Sequence, residues 1–352
     1  MAGTILDRQL SRSRVQFAVA THADDAAIRR LLRETPMHGA ISLTLEREPN
    51  YFADADLPGE EKQTIIAVEH GKVVCVGSCI TRDLFVNGSP HRVGYLGGLR
   101  LAATHSGRFD ILRRGYEFFS ELQRDNPSDF YFTSIASDNV RARAFLERSV
   151  PGLPKYEFLS DYATLIIPSK QRKSQPVSGS LHLGSNRESQ FAPLWTDEQL
   201  SALQSLDLKS SDIVSVDGEP AALWDQRSFK QTVIRGYSGW LRFARPIINA
   251  LRLQRLPSDG ETFSNAVICG LNAPDPNVAI ALISALRALA AQRGIAYIAL
   301  GLSGSDPRFE LIRRRFRCRV YWSRIYLVHW PCIGGTSAEL DSRLVSPELA
   351  FL

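Results

Sequence analysis

The chain has 352 residues, 44% of them hydrophobic and 22% charged, which is an ordinary soluble globular balance, and its length suits two cores better than one. A net charge of +5 admits an anionic ligand without demanding nucleic acid. No run approaches the ~20 apolar residues that span a bilayer, and Cys75, Cys79, Cys269, Cys318 and Cys332 follow no metal-binding spacing, so reduced thiols, no metal and a cytoplasmic location are expected.

Residues 1–14 lack a continuous apolar core and read as a flexible arm. From Val15, "VQFAVA" predicts a strand, and Asp24 or Asp25 caps a helix that buries Ile28, Leu31 and Leu32. The stretch "ISLTLEREPNYFADADLPGEE" is less regular. An antiparallel meander follows, "TIIAVEHG", "KVVCVGSCITRDLFVNG" and "HRVGYLGGLRLA", with turns at His70-Gly71 and Asn87-Gly88. After "THSGR" a helix aligns Leu112, Tyr116, Phe119 and Leu122 on one face. "FYFTSIAS" is a strand, "DNVRARAFLERS" a helix, and "YEFLSDYATLIIP" a closing strand.

Residues 169–190 are polar and Ser-rich, the composition of a linker. Beyond them, "FSNAVICGLN" predicts a strand, and Asp275-Pro276 opens a helix that buries Val278, Leu282, Leu286 and Leu289. "AYIALGLS", "DPRFELIRRRF" and "VYWSRIYLVHWP" complete a second strand-helix-strand-helix-strand series near 262–332, matching the one near 92–168. Duplication of one unit explains the recurrence economically. The expected division is 15–168, a linker over 169–190, a second unit over 191–333 and a tail over 334–352.

The segments "LRLAATHSGRFDILRRG" and "SDNVRARAFLE", set in the order β-α-β-β-β-α-β-α-β over residues 15–168, resemble the GNAT (Gcn5-related N-acetyltransferase) superfamily. The whole chain is similar to tandem arrangements in which the second unit is a degenerate copy. The resemblance implies an α/β class with α+β mixed sheets, that is, two GNAT-like domains, each a mostly antiparallel sheet flanked by helices. It implies acetyl-CoA or another acyl-CoA as co-substrate. Leu99, Arg100 and Leu101 match the strand whose backbone holds the pantetheine arm. Ser106, Gly107, Arg108 and Phe109 match the pyrophosphate loop, and Asn139 and Ala142 match the motif beside the pantetheine. Three departures stand out. Ser106 stands where Arg or Gln is usual, Phe109 replaces a small residue, and Leu146 occupies the place of the family's frequent tyrosine acid.

The residues carry their own chemistry. Gly107 can turn left-handed, Ser106 can cap the next helix, and Arg108 adds charge at a helix start, which together suit an anion. Acyl transfer to an amine also needs a proton acceptor and donor. Glu48 is the candidate base, among the nearby carboxylates Glu46, Glu69, Asp83 and Asp138, with Asp138 also an N-cap for the helix that follows; Tyr156 and Tyr162 are candidate acids. In the second unit, "LNAPDPN" offers prolines and an acid where a phosphate would sit, so no CoA is expected there. Residues 226–258 hold seven Lys or Arg and no acid, with Phe229, Tyr237, Trp240 and Phe243 interleaved. Such a segment could meet an anionic acceptor, RNA or a membrane surface.

The leading expectation is therefore an acyl-CoA-dependent N-acyltransferase acting on a small-molecule or peptide amine, with the second unit shaping the acceptor pocket or a homodimer interface. Two alternatives remain: an aminoacyl-tRNA-dependent transferase using the 226–258 segment for nucleic acid, and a non-catalytic acyl-CoA-binding regulatory module.

Overall fold

A computed structural model of the chain describes residues 15–39, 41–55, 60–148, 150–170, 183–239, 242–243, 245, 257–331 and 333–352. The expected arm (1–14), most of the linker, Trp240 and Cys332 lie outside the described residues.

The first part follows its sequence signals. Strand β1 (Gln16–Val19) leads to helix α1 (Asp25–Glu34), preceded by a turn in which the Thr21 amide donates to Asp24 Oδ2 at 2.8 Å. Ile28, Leu31 and Leu32 pack on Tyr51, Ile66 and Val76. Strand β2 (Ile41–Glu46) lies inside the stretch expected to be irregular. Strands β3 (Glu60–Glu69), β4 (Lys72–Val86) and β5 (Ser89–Leu101) form the predicted meander. Its two hairpins turn on His70-Gly71 (φ 51° and 71°) and Asn87-Gly88 (φ 53° and 81°), the left-handed pairs that two-residue loops require. Helix α2 (Phe109–Leu122), strand β6 (Phe130–Ala136), helix α3 (Val140–Leu146) and strand β7 (Lys155–Pro168) complete the first series.

Short strands β8 (Ser189–Gln190) and β9 (Ala192–Pro193) precede helix α4 (Asp197–Leu203), β10 (Ile213–Val216), β11 (Glu219–Trp224) and β12 (Gln231–Tyr237). The second series is β13 (Asn265–Cys269), α5 (Pro276–Gln292), β14 (Tyr297–Ser303), α6 (Phe309–Phe316) and β15 (Arg319–His329), followed by β16 (Leu344–Val345). Helix α5 starts as expected: the Asp275 carboxylate accepts from the Asn277 amide at 2.8 Å, and Pro276 occupies the first turn.

One mixed, mostly antiparallel sheet runs through both parts in the order β1-β3-β4-β5-β6-β15-β7-β14-β13-β11-β10. The middle of that order does not follow the chain. β15 lies between β6 and β7, and β7 lies between β15 and β14. Each series thus sends its last strand into the gap beside the other series, and the sheet crosses the boundary expected at 169–190. A smaller ribbon also joins the two parts, because β2 pairs antiparallel with β12 from Glu46↔Gln231 to Ile41↔Tyr237. The segment expected as a C-terminal tail is part of the core. Tyr162 Oη donates to the Pro347 carbonyl at 2.7 Å, and Ala350 packs with Trp195, Trp224 and Phe229.

Helices α5 and α6 cover one face of the second part through Leu282, Leu286, Leu289, Ile312 and Phe316, packed on Leu165, Ile167, Ile268 and Leu300. In the first part, α1 and α2 cover opposite faces, since α1 packs on Val76 and α2 places Ile111 beside Cys75 and Phe119 beside Cys79.

Candidate active site

Strands β5 and β6 pair in parallel only at Val93–Tyr95 with Phe130–Phe132. Beyond that rung they part. β5 stays with β4 as far as Leu101↔Cys75, while β6 stays with β15 as far as Ala136↔Ser323. Thr133 Oγ1 donates to the Leu96 carbonyl at 2.6 Å and marks the base of the split. On β5 the register slips between Val76 and Ser78, so that Gly98 and Leu99 together oppose Gly77. Gly98 takes φ 66°, the left-handed geometry of a glycine bulge. A bulge of this kind breaks the ladder and releases backbone polar groups towards whatever enters the split.

Two side chains gather beneath the bulge. A Cβ on Gly97 would lie 2.8 Å from Tyr95 Cε1, so the Tyr95 ring folds across a residue that must be glycine. Burial pushes the Tyr95 hydroxyl up to about 12, partly offset by Arg100, Arg47 and Arg82. Arg100 donates to the Leu99 carbonyl at 2.8 Å and to Met37 Sδ at 3.3 Å, and burial pulls its guanidinium below its ordinary value. Neither residue is prominent in the sequence as chemistry, although Gly97 two positions after Tyr95 is a legible signal for the ring's placement.

The loop after β5 matches the sequence expectation in part. Gly107 has φ 89° with open space where a side chain would point. The Ser106, Arg108 and Phe109 amides already donate to the Ala103, His105 and Gly107 carbonyls at 3.1, 3.0 and 2.9 Å, so they are not a ready cradle of free donors. Ser106 does not cap α2; Arg108 occupies that position without a side-chain cap. The Arg108 guanidinium grips Asp110 at 2.8 Å and reaches Glu69 at 3.5 Å, while His105 Nε2 meets Glu69 at 2.7 Å. Phe109, half exposed, stacks on Phe145 with ring centres 4.5 Å apart. Asn139, not Asp138, caps α3, accepting from the Ala142 amide at 3.2 Å. Leu99 is exposed, and Leu101 is half-buried against the α2 side of the sheet.

The three side chains expected to move protons are engaged elsewhere. Both Arg29 and Arg33 of α1 hold the Glu48 carboxylate, and its backbone is tied to the Gln231 side chain at 2.9 and 2.8 Å. Tyr156 is buried among Phe119, Tyr131 and Tyr326, its hydroxyl against that of Tyr116, and burial raises it well above the ordinary tyrosine value. Tyr162 is fully buried with its hydroxyl on Pro347. A bulge at Leu159, where Ile325 and Tyr326 pair Ser160 and Phe158, lies between these two tyrosines and alters the facing of β7. Among the other carboxylates, Glu46 is buried on β2 and holds Thr44 and Arg235.

Three cations of the basic segment are similarly committed. Arg227 pairs with Asp225, Arg235 with Glu46, and Lys230 donates to the Leu352 carbonyl. Phe229 is buried, whereas Phe243 is exposed.

A second split mirrors the first. β13 and β14 pair in parallel only from Asn265↔Tyr297 to Val267↔Ala299, after which β14 continues alongside β7. Gly270, just past β13, takes φ 67°. Here the chain's own C-terminal segment lies against both strands. The Gly270 amide donates to Glu348 Oε2 at 3.0 Å, and a Cβ on Gly301 would fall 2.8 Å from Leu349 Cβ. Burial pushes the Glu348 carboxyl up to about 7.

The sequence matches no protein-family model and no curated protein. Solved structures do match. A Saccharomyces cerevisiae N-myristoyltransferase with bound myristoyl-CoA is similar over 96% of this chain and 89% of its own, at 12% identity and TM-score 0.55. A second structure of that enzyme gives TM-score 0.53 at 10% identity, over 96% of this chain and 84% of its own. A putative acetyltransferase from Pyrococcus horikoshii gives TM-score 0.50 at 10% identity, over 94% of each chain. The chain has the GNAT fold. Within this GNAT fold, the split between β5 and β6 is one of the two places where the mixed sheet opens. Its walls are backbone from residues 97–101 and 133–136. Among the described residues no His, Cys, Asp and Glu cluster could hold a metal, and no helix is long and apolar enough to cross a membrane.

Proposed function

We propose that this protein is an acyl-CoA-dependent acyltransferase that moves an acyl group to an amine, with the chemistry at the β5/β6 split. The observation that carries this reading is the parting of two parallel strands at a glycine bulge, which leaves a slot lined by backbone donors and acceptors. The solved N-myristoyltransferase with myristoyl-CoA bound supports it at the level of fold. In this reading the backbone of Leu99, Arg100 and Leu101 aligns the pantetheine arm, and Gly107 and Arg108 lie at the diphosphate end. Arg108 can exchange its exposed pairing with Asp110 for phosphate at small cost, because such pairs contribute little. Ala142 and Asn139 then flank the arm through the α3 backbone, since the Asn139 carboxamide is spent on its cap.

The unprotonated amine nitrogen attacks the thioester carbonyl, the C–N bond forms, the C–S bond breaks to release the CoA thiolate, and the proton shed by the nitrogen passes to solvent water, from which the proton donor is replenished. Backbone N–H groups at the bulge stabilise the oxyanion. The buried Arg100 cation favours negative charge nearby, and the Tyr95 hydroxyl, neutral at any physiological pH, is the proton donor to the departing sulfur. Tyr95 thus takes the role expected of Tyr156 or Tyr162. The second series is a degenerate copy in which the C-terminal segment occupies the corresponding split.

Melting the protein with acetyl-CoA, longer acyl-CoAs, CoA and dephospho-CoA tests binding. A ligand at ~100 times its dissociation constant adds about 2.7 kcal/mol. The rise should disappear in Gly107→Asp. Following thiol release with a panel of small amines and peptides tests turnover. The engagement of Glu48, Tyr156 and Tyr162 in other contacts favours one second reading, a module that binds acyl-CoA without turnover. Stabilisation by acyl-CoA with no thiol release from any acceptor would select it.

A further inference from the structure

We infer that the second part carries a site for a compact polyphosphate, in the pocket formed by Lys170, Arg287, Arg315 and Arg317. The inference stands apart from the transferase reading and uses none of its residues. The pocket lies where the end of β7, the middle of α5 and the last turn of α6 meet, and it encloses ≈ 510 Å³. That volume is within the range of small-ligand sites. Among the described residues its remaining lining is Ser284 and Phe316, so four cations and no acid line one space.

The four are not equivalent. Arg287 is the fixed member: its Nε donates to the Pro168 carbonyl at 2.9 Å and its guanidinium lies 5.1 Å from the Phe316 ring centre. Phe316 is itself buried in the core beneath α5 and α6. Lys170, Arg315 and Arg317 are exposed, and among the described residues none of them has a carboxylate within ion-pair distance. The contrast within α6 is informative. Arg313 and Arg314, on the same helix, both share Glu310 and so satisfy their charge locally. Arg315 and Arg317 instead line the same pocket as Arg287. Arg317 also holds the left-handed position that ends α6 (φ 50°), where glycine would be unstrained.

Guanidinium groups clustered around a concavity are the geometry that binds phosphate through bidentate, charge-assisted hydrogen bonds. A concave site with one rigid arginine and three adjustable cations fits a short chain of phosphates better than an isolated monoanion. Ser284 adds no donor, because its hydroxyl donates to the Ile280 carbonyl at 2.7 Å.

The test is isothermal titration of the full chain with tripolyphosphate in 150 mM KCl, a salt level that screens exposed charges beyond about 8 Å. Saturable binding should weaken about tenfold or more in Arg315→Ala, in line with loss of a hydrogen bond between charged groups. Arg317→Gly should lose affinity similarly while melting no lower than the parent, since glycine suits that backbone. Arg314→Ala, which alters a cation outside the pocket, should bind as the parent does. ATP serves as a second arm. Equal affinity for ATP and tripolyphosphate assigns recognition to the phosphate chain, and tighter ATP binding assigns the source to a nucleotide; both support the site. Absence of saturable tripolyphosphate binding, equal weakening by Arg314→Ala, or parental affinity in Arg317→Gly would overturn it. Binding of a 20-nucleotide RNA without tripolyphosphate binding would overturn it too, by replacing a pocket with an extended surface.

Discussion

Replacing Glu348 by Gln should stabilise the protein above pH 7 and change it little at pH 5. The Glu348 carboxyl packs into the second split, accepts from the Gly270 amide, and is raised by burial from its ordinary 4.5 to about 7. A displacement of that size corresponds to about 3 kcal/mol between the protonated and ionised forms. This is an upper limit, since part of the residue still meets solvent. The sign follows from proton uptake. The folded protein binds this proton more tightly than the unfolded chain, so the contribution is fully present below pH 4.5 and is lost as pH rises to 7.

Between pH 5 and pH 8 the loss from Glu348 alone comes to about 2–3 kcal/mol. With an unfolding entropy of ~2.1 cal/mol/K per residue, a chain of this length converts that into about 3 °C of Tm. Gln keeps an oxygen for the Gly270 amide and carries no charge to bury. Scanning calorimetry of both proteins at pH 5 and pH 8 is the assay. The advantage of Glu348→Gln should be about 3 °C larger at pH 8. If the two proteins kept a constant difference across that range, the carboxyl would not be buried against Gly270, and the packing of the C-terminal segment into the split would be wrong.

Tyr162→Phe removes the donor to the Pro347 carbonyl and should cost about 1–2 kcal/mol of stability with thiol release unchanged; a slower reaction at unchanged Tm would restore Tyr162 as an acid. Gly97→Ala places a methyl 2.8 Å from the Tyr95 ring, and both it and Tyr95→Phe should lower kcat by about a hundredfold, the usual contribution of a positioned acid. Because the Tyr95 hydroxyl is raised to about 12, the parental rate should show no alkaline decline from this group below pH 10, and a decline near pH 8 that disappears in Tyr95→Phe would contradict that environment. Glu48→Gln breaks contacts with Arg29 and Arg33 at a partly exposed site and should cost under about 1 kcal/mol, leaving the rate and its pH profile as they were.

The parts of this fold legible in the sequence are those specified locally. Two left-handed hairpin turns, the Asp275-Pro276 helix start and the four-three-three spacing on α2 each need only a few consecutive residues to declare themselves. β2 and β12 escape that reading because, among the described residues, each finds its long partner nearly two hundred positions away. The strand exchange escapes for a related reason. An apolar run such as "YATLIIP" announces burial but not which neighbours supply the hydrogen bonds, and both partners of β7 come from beyond residue 296.

The site divides in the same way. Of its backbone features, the left-handed turn at Gly107 is legible, because glycine reports conformation directly, whereas the bulge at Gly98 emerges only from the pairing of β5 with β4. Its side-chain chemistry was not, because the direction of a tyrosine depends on facing. The bulge at Leu159 separates Tyr156 from Tyr162 and leaves both in packed cores. Glu48 failed differently. Its two partners lie on α1, 19 and 15 positions earlier, an ion pairing with no local pattern.

Strand exchange also assigns a role to the second part. A slot between two parallel strands persists only if each strand is held on its far side; otherwise the strands close on one another and satisfy their backbones directly. β5 has β4 for that purpose. β6 has β15, paired from Leu327↔Phe132 to Ser323↔Ala136, which is the very stretch where β6 leaves β5. The opening in the first part is therefore kept open by a strand from the second, and β7 returns the support by bracing β14 along Tyr162–Pro168. The second split has no comparable need to stay vacant, and Pro347, Glu348 and Leu349 lie against it. What the second part contributes to the first is thus a strand.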